Sequence, residues 1–304
     1  VKEKKIAILL GGASSERKIS LLSGEAVFNA VKKLSGFIPI KYDSKTDLKK
    51  LVSDKSKIDL VFIALHGKGG EDGTIQSYLE KLNLPYTGSD SRASSQAFDK
   101  VKAKQIFRQN GLDVLPHFVL TFHSQLPKNI QYPMVVKPRK GGSSIGVAIA
   151  KNLPQLRQKT KIAFKHCPKI MLEQYQKGRE FTVPVLGKGQ TARALPAVEI
   201  VPTKGDFFNY QNKYDGTTRE ITPAHLNSKQ TKLAQNTALL AHHALGCSGL
   251  TRTDMILFDG KYYILELNIV PGLTDQSLAP KSAKAAGIKF KDLIKQIINE
   301  IYSL

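Results

Sequence analysis

Two apolar-rich runs, Arg252–Phe258 and Tyr262–Leu267, flank Asp259-Gly260, a dipeptide that favours a tight turn between antiparallel strands. The resulting hairpin carries Asp254 on one arm and Glu266 on the other. Asn268 follows Glu266 by two residues and so shares its face of a strand. Two carboxylates and an amide are hard oxygen ligands, a set that suits Mg²⁺, which completes its shell with water and phosphate oxygens. Register restricts this reading. A strict two-residue turn pairs Phe258 with Lys261 and places Asp254 opposite Leu265, on the wrong face. A shared cation therefore requires a three-residue loop or a bulge. Taken alone, the segment is equally a hairpin with its acids on a solvated face.

Residues 134–147 supply a second signal. Met134-Val-Val-Lys137 reads as a short strand ending in a lysine, and Gly141-Gly142-Ser143-Ser144-Ile-Gly146 as a small-residue loop. Such a loop turns successive backbone N–H groups toward phosphate oxygens without Cβ obstruction. Lys137, Arg139 and Lys140 add positive charge around it. The spacing is not the phosphate loop that opens a helix with Gly-Lys-Ser/Thr. By itself the segment is equally a surface turn.

Alternating strand and helix signals fill residues 1–90: strands Ile6–Leu10, Phe37–Tyr42 and Leu60–Leu65, helices Ile19–Leu34 and Ile75–Leu82. This order predicts an α/β parallel sheet with ligand loops at the strand C-termini, where Gly11 and His66 fall. A smaller α+β unit is expected over 91–180, opened by one helix through Phe98, Val101 and Phe107. The third unit, 181–304, starts with strands Phe181–Leu186 and Arg193–Val201. It continues through a polar stretch at 204–220, a helix near 228–245 and the hairpin, and closes on a helix over Phe290–Tyr302.

Composition narrows the functional classes. The formal charge of +21 and pI near 9.8 raise nucleic-acid binding as an alternative. The lysines, however, are spread along the chain, and no helix-turn-helix, zinc-finger or aromatic ribonucleoprotein signature is present. A solvated basic surface is the preferred reading. No apolar run approaches the roughly 18 residues of a membrane span, and Val1-Lys-Glu-Lys-Lys leads into a strand rather than a signal peptide. Val1 in place of Met points to a trimmed start. Cys167 and Cys247, far apart in sequence, fit a reducing cytoplasm.

Six segments in order carry a family resemblance. They are Gly11-Gly12-Ala-Ser-Ser-Glu16-Arg-Lys-Ile-Ser20, His66-Gly-Lys-Gly-Gly-Glu71-Asp-Gly-Thr74, Lys137 to Gly146, Asn212-Lys213-Tyr214, Arg252-Thr-Asp254, and Glu266-Leu-Asn268-Ile-Val-Pro-Gly272-Leu-Thr-Asp-Gln-Ser277-Leu278. Together they resemble the D-alanine–D-alanine ligases of the ATP-grasp superfamily. The resemblance implies a three-domain ATP-grasp architecture with an N-terminal Rossmann-like domain. It also implies a cytoplasmic enzyme, as a homodimer without nucleic-acid or membrane partners. Such an enzyme phosphorylates one D-alanine with ATP and couples the acyl phosphate to a second D-alanine for peptidoglycan synthesis.

The same resemblance assigns the residues. Lys100 and Lys137 hold the α- and β-phosphates and Lys213 the γ-phosphate, beneath Ser143 and Ser144. Glu173, Tyr175, Glu180 and Phe207 surround adenine and ribose, with Gln174 and Gln176 making that pocket more polar than usual. Asp254, Glu266 and Asn268 hold Mg²⁺, as two ions, with Mn²⁺ able to substitute. Glu16 and His66 orient the first D-alanine. Glu16, Ser144 and Tyr214 form a hydrogen-bonded triad across the cleft. Arg252 and the Gly272 N–H stabilise the tetrahedral intermediate, and Ser277 with Leu278 receives the second substrate. Residues 204–220, poor in aliphatic anchors, are expected to act as a lid that orders with nucleotide. A D-serine or D-lactate ligase, or another ATP-grasp carboxylate–amine ligase, stays open as an alternative.

Overall fold

The computed structural model describes residues 3–143, 145–202 and 218–302. Strand β1 (Lys4–Leu10) lies between β2 (Phe37–Asp43) and β3 (Leu60–Ile63), both parallel to it. Its alternating side chains are buried on both faces, as a parallel sheet requires. Ile6 and Ile8 pack with Val27 of helix α1 (Arg17–Val31) and, from the far end of the chain, Leu293 and Ile297. Ala7 and Leu9 face Leu51 of α2 (Leu48–Ser53), Leu79 of α3 (Thr74–Lys81) and Phe107. The C-terminal ends of β1 and β3 release the loops that carry Glu16 and His66, as their order in the sequence predicted.

The single helix expected through Phe98 and Phe107 is two. Helix α4 (Ser91–Phe98) ends at Asp99, whose extended backbone breaks the run, and α5 (Lys100–Gln109) begins there. The Asp99 side chain accepts from Lys102 N–H and is paired with Arg139 at 2.7 Å. A cap and an ion pair thus override the local helical pattern. Both helices pack on the N-terminal core, since Ala97, Ala103 and Phe107 share a cluster with Ala7, Leu9 and Val61.

A four-stranded antiparallel sheet follows, ordered β4 (His117–Thr121), β7 (Lys169–Gln174), β5 (Met134–Pro138), β6 (Ala148–Ala150). Helix α6 (Leu153–Phe164) covers it through Leu156 and Ala163, started by the Asn152 side chain accepting from Gln155 N–H at 3.0 Å. The third sheet runs β11 (Thr218–Ile221), β10 (Val198–Pro202), β8 (Arg179–Leu186), β12 (Leu250–Phe258), β13 (Lys261–Asn268), with β9 (Arg193–Ala194) beside β8. The continuous strand expected over 193–201 is therefore interrupted. Pro196 has no N–H to give a ladder, and pairing resumes at Val198. Helix α7 (Ser228–Ala244) packs Ala234 and Ala238 on this sheet. Helices α8 (Leu278–Ala285) and α9 (Phe290–Tyr302) end the chain, the last with the bounds read from its apolar spacing.

The hairpin resolves its register with a bulge. Asp259 and Gly260 both take positive φ (48° and 71°), and Phe258 pairs with Lys261 across a two-residue turn. Pairing stays regular to Met255 opposite Ile264, then skips Leu265, so that Asp254 faces Glu266 and Arg252 faces Asn268. Backbone contacts from outside the sheet hold the bulge: Ile264 N–H donates to Asp113 O (2.9 Å), and Ile264 O accepts from Lys104 Nζ (2.7 Å).

Candidate active site

Two adjoining clefts share Gly142, Arg252, Glu266 and Leu278 as a common wall. The first lies between the four-stranded sheet and the β8–β12–β13 face. It is lined by Lys100, Lys137, Glu173, Tyr175, Glu180 and Asp254. The second lies beside the N-terminal loops and is lined by Glu16, His66, Ser143, Asn268, Gly272 and Ser277. Candidate residues read separately from the sequence thus converge on one continuous space.

The first cleft is organised by buried charge. Glu173, 1% exposed, accepts from Lys137 Nζ at 2.6 Å and forms an ion pair with Lys104 Nζ at 2.7 Å. Burial pushes the Glu173 carboxyl up, but the ammonium groups of Lys104 and Lys137 outweigh it and hold the carboxyl below its ordinary range. Burial pulls Lys104 down to about 8 against the attraction of Glu173. Lys104 was not singled out in the sequence. Its signal was its place four residues after Lys100, on the same helix face. Lys100 Nζ donates to Gly141 O (2.7 Å) and pairs with Glu266 (3.0 Å), so it ties the glycine loop to the hairpin. The loop's other anchor is Arg139 on Asp99, with Lys100 N–H donating to Arg139 O at 3.1 Å.

On the hairpin, the Asp254 carboxylate accepts from Arg252 through Nε (2.9 Å) and Nη2 (2.8 Å), from Thr182 Oγ1 (2.5 Å) and from Asn268 Nδ2 (3.0 Å). Burial works against the charge of Arg252, but Asp254 outweighs it and raises the guanidinium pKa. Glu180 sits nearby without such compensation: burial, with the Asp254 charge added, pushes its carboxyl up to about 7 against the pull of Lys137. Among the described residues, no cluster of three or more His, Cys, Asp or Glu stands ready to hold a metal ion. The hairpin set is two carboxylates and an amide. Turning the Asn268 oxygen inward would make it a hard-oxygen donor set of the kind Mg²⁺ takes.

In the second cleft, Glu16 is enclosed by backbone. A Cβ on Gly142 would lie 2.6 Å from Glu16 Oε2, so a larger residue there would push this carboxylate from its place. Ser143 donates its hydroxyl to Glu16 Oε1. Ser144, Phe207, Lys213 and Tyr214 lie outside the described residues, as does the lid stretch up to residue 217. His66 is 5% exposed, with Glu71 at 3.6 Å and Ser23 at 2.9 Å from its ring nitrogens. No motif spacing marks Ser23, and Glu71 stands in the sequence only as part of the motif that begins at His66. Ser277 opens α8, and its Oγ accepts from Thr274 N–H at 3.1 Å.

Comparison with known proteins places the chain in a family. The family profile described as D-ala D-ala ligase C-terminus matches residues 106–299, and the one described as D-ala D-ala ligase N-terminus matches 41–89. A D-alanine–D-alanine ligase of Syntrophobacter fumaroxidans is 43% identical over 300 residues, 96% of each chain. The crystal structure of the Bacillus anthracis D-alanine–D-alanine ligase complexed with ATP superposes with a TM-score of 0.85 at 32% identity, over 99% of this chain and 98% of that one. The VanG D-Ala:D-Ser ligase of Enterococcus faecalis gives 0.87 at 28% identity, over 99% and 100%. With profiles spanning most of its length and a 43% identical relative matched end to end, the chain belongs to the D-alanine–D-alanine ligase family, within the ATP-grasp group.

Proposed function

We propose that this protein joins two D-alanine molecules to D-alanyl-D-alanine at the expense of ATP, releasing ADP and phosphate for peptidoglycan precursor synthesis. The observation that carries the proposal is the shared wall of the two clefts. It brings the space lined by Lys100 and Lys137 together with the space lined by Glu16, His66 and Ser277 at Arg252 and Glu266. In this reading the first D-alanine carboxylate attacks the γ-phosphorus and ADP leaves. The amine of the second D-alanine then attacks the acyl carbon, and phosphate leaves with the carboxylate oxygen.

Each side chain has a physical task. Lys100 and Lys137 neutralise the α- and β-phosphates, while Lys104 keeps Glu173 ionised when Lys137 turns to phosphate. Glu173, Tyr175 and Glu180 frame the base and ribose with Phe207, and Lys213 serves the γ-phosphate. Asp254, Glu266 and Asn268 would hold Mg²⁺, which when bound neutralises charge on the transferring phosphate. Glu16 pairs with the first substrate's ammonium group, and its contact to Ser143 sits beside the expected triad with Ser144 and Tyr214. Arg252 and the Gly272 N–H face the oxyanion. Ser277, with Leu278, receives the second carboxylate. Working units divided near residues 90 and 180, a homodimer and a cytoplasmic location complete the proposal, the last because ATP and free D-alanine are its substrates.

The test is product analysis by mass spectrometry with D-alanine, D-serine, D-lactate and L-alanine, singly and in pairs. D-Ala-D-Ala with ADP and phosphate is expected. AMP with pyrophosphate, or a preference for L-alanine, would refute the proposal.

A further inference from the structure

The loop Val270-Pro271-Gly272-Leu273 is gripped at both ends by groups that come from the N-terminal layer. His66 Nδ1 lies 3.1 Å from Val270 O, Leu273 N–H donates to Ser23 Oγ at 3.3 Å, and Ser23 Oγ lies 2.9 Å from His66 Nε2. Ser23 is 0% and His66 5% exposed, so water does not complete these bonds. The donor roles follow from chemistry. A carbonyl oxygen only accepts, so Nδ1 carries the proton, and the Glu71 carboxylate 3.6 Å from the same nitrogen favours that tautomer. In the neutral ring Nε2 is then an acceptor. The Ser23 hydroxyl donates to it and uses a lone pair for Leu273 N–H.

The circuit therefore runs from Leu273 N–H through Ser23 and the imidazole to Val270 O. Between its two ends lie Pro271, which has no N–H, and Gly272. Gly272 thus bears the only backbone donor in the gripped span, on the wall of the amino-acid cleft. Both nitrogens of His66 are committed to protein partners, which leaves its ring no polar atom for a substrate.

We infer that Ser23 and His66 are positioning residues, forming a clasp that fixes the Gly272 N–H where the tetrahedral intermediate develops. The inference rests on the proposed role of Gly272 in peptide-bond formation. It reassigns His66 from a substrate contact to a support for the 270–273 loop. Ser23 lies 250 residues from Leu273, so the clasp also couples the N-terminal layer to the loop that follows the metal hairpin.

Two measurements test it. Nitrogen-15 NMR of labelled histidine in the wild-type protein, with the His66 signal assigned by its loss in His66→Asn, should show the Nδ1–H tautomer with an unprotonated Nε2. A proton on Nε2 alone would overturn the inference. Ser23→Ala should lower the rate of dipeptide formation about tenfold, the size expected for one lost buried hydrogen bond. The KM for ATP should not change. Positional exchange of oxygen-18 in ATP driven by the first D-alanine should also be unchanged, because the clasp serves the second half-reaction. An unchanged dipeptide rate, or an equal fall in both activities, would refute the clasp. A wild-type protein that makes no dipeptide would refute the parent reading instead, and the tautomer would still decide whether the clasp exists.

Discussion

Replacing Lys104 with Met tests the buried charge arrangement where it is most exposed to failure. The Lys104 ammonium is 1% exposed and bridges Glu173 Oε1 and Ile264 O, each at 2.7 Å. Methionine fills similar volume but donates nothing. Glu173, itself 1% exposed, is left with Lys137 as its recorded partner, and the bulge carbonyl loses its donor. Breaking one side of a buried ion pair costs about 3–5 kcal/mol. With an unfolding entropy of about 2.1 cal/mol/K per residue, 304 residues give roughly 0.6 kcal/mol/K, so the midpoint should fall about 5–8 °C. Scanning calorimetry of the nucleotide-free protein reads this directly. Adding Glu173→Gln should not restore what is lost, because the Lys137 ammonium, 7% exposed, is then without its counter-ion. The combined loss should still fall short of the sum of the two single losses, because Lys104 and Glu173 interact directly. A drop below about 1 kcal/mol in the single variant, or strict additivity in the double, would refute the account of this triad. ATP affinity should fall as well, since Lys137 then becomes the principal counter-ion of Glu173 and is held more tightly away from phosphate.

Gly272→Ala places a Cβ 2.7 Å from Ser277 Oγ, so kcat/KM for the second D-alanine should fall about tenfold or more, with KM for ATP unchanged; equal kinetics would refute the close packing at this loop. Glu180, pushed up to about 7, favours the folded protein in its protonated form. That contribution is fully present below the ordinary carboxyl range near 4.5 and is lost as pH rises through about 7, a change of roughly 3 kcal/mol. Nucleotide-free wild type should therefore lose stability relative to Glu180→Gln between pH 4.5 and 8, and parallel pH profiles would contradict this. Lys213→Ala should depress kcat far more than it raises KM for ATP, because its charge is needed most as the γ-phosphoryl group transfers; the reverse split in steady-state kinetics would assign Lys213 to ground-state binding.

The hairpin shows what sequence reasoning can reach and where it stops. Asp259-Gly260 specified the turn through its positive φ angles, and the chemistry of a shared cation demanded an irregularity. Yet nothing local placed that irregularity at Leu265. Its position is stabilised by Lys104 and by Asp113 O, contacts made in three dimensions. The break at Asp99 was hidden for the same reason, since Arg139 lies forty residues away in the chain. Pro196, in contrast, is written in the sequence, and it lies between the two short strands Arg193–Ala194 and Val198–Pro202. Residues in motifs were legible because glycine, charge and order are written locally. Lys104 holds Glu173 and the bulge carbonyl, and Ser23 holds the loop at Leu273, and a support of that kind has no motif of its own.

The central claim is that an acyl phosphate links the two clefts, and the fate of a carboxylate oxygen tests it most directly. D-alanine labelled with oxygen-18 in its carboxylate is supplied with ATP, and the released phosphate is weighed by mass spectrometry. If the carboxylate attacks phosphorus and the amine then attacks the acyl carbon, each phosphate carries one labelled oxygen for every dipeptide formed. Unlabelled phosphate accompanying labelled dipeptide would contradict the account.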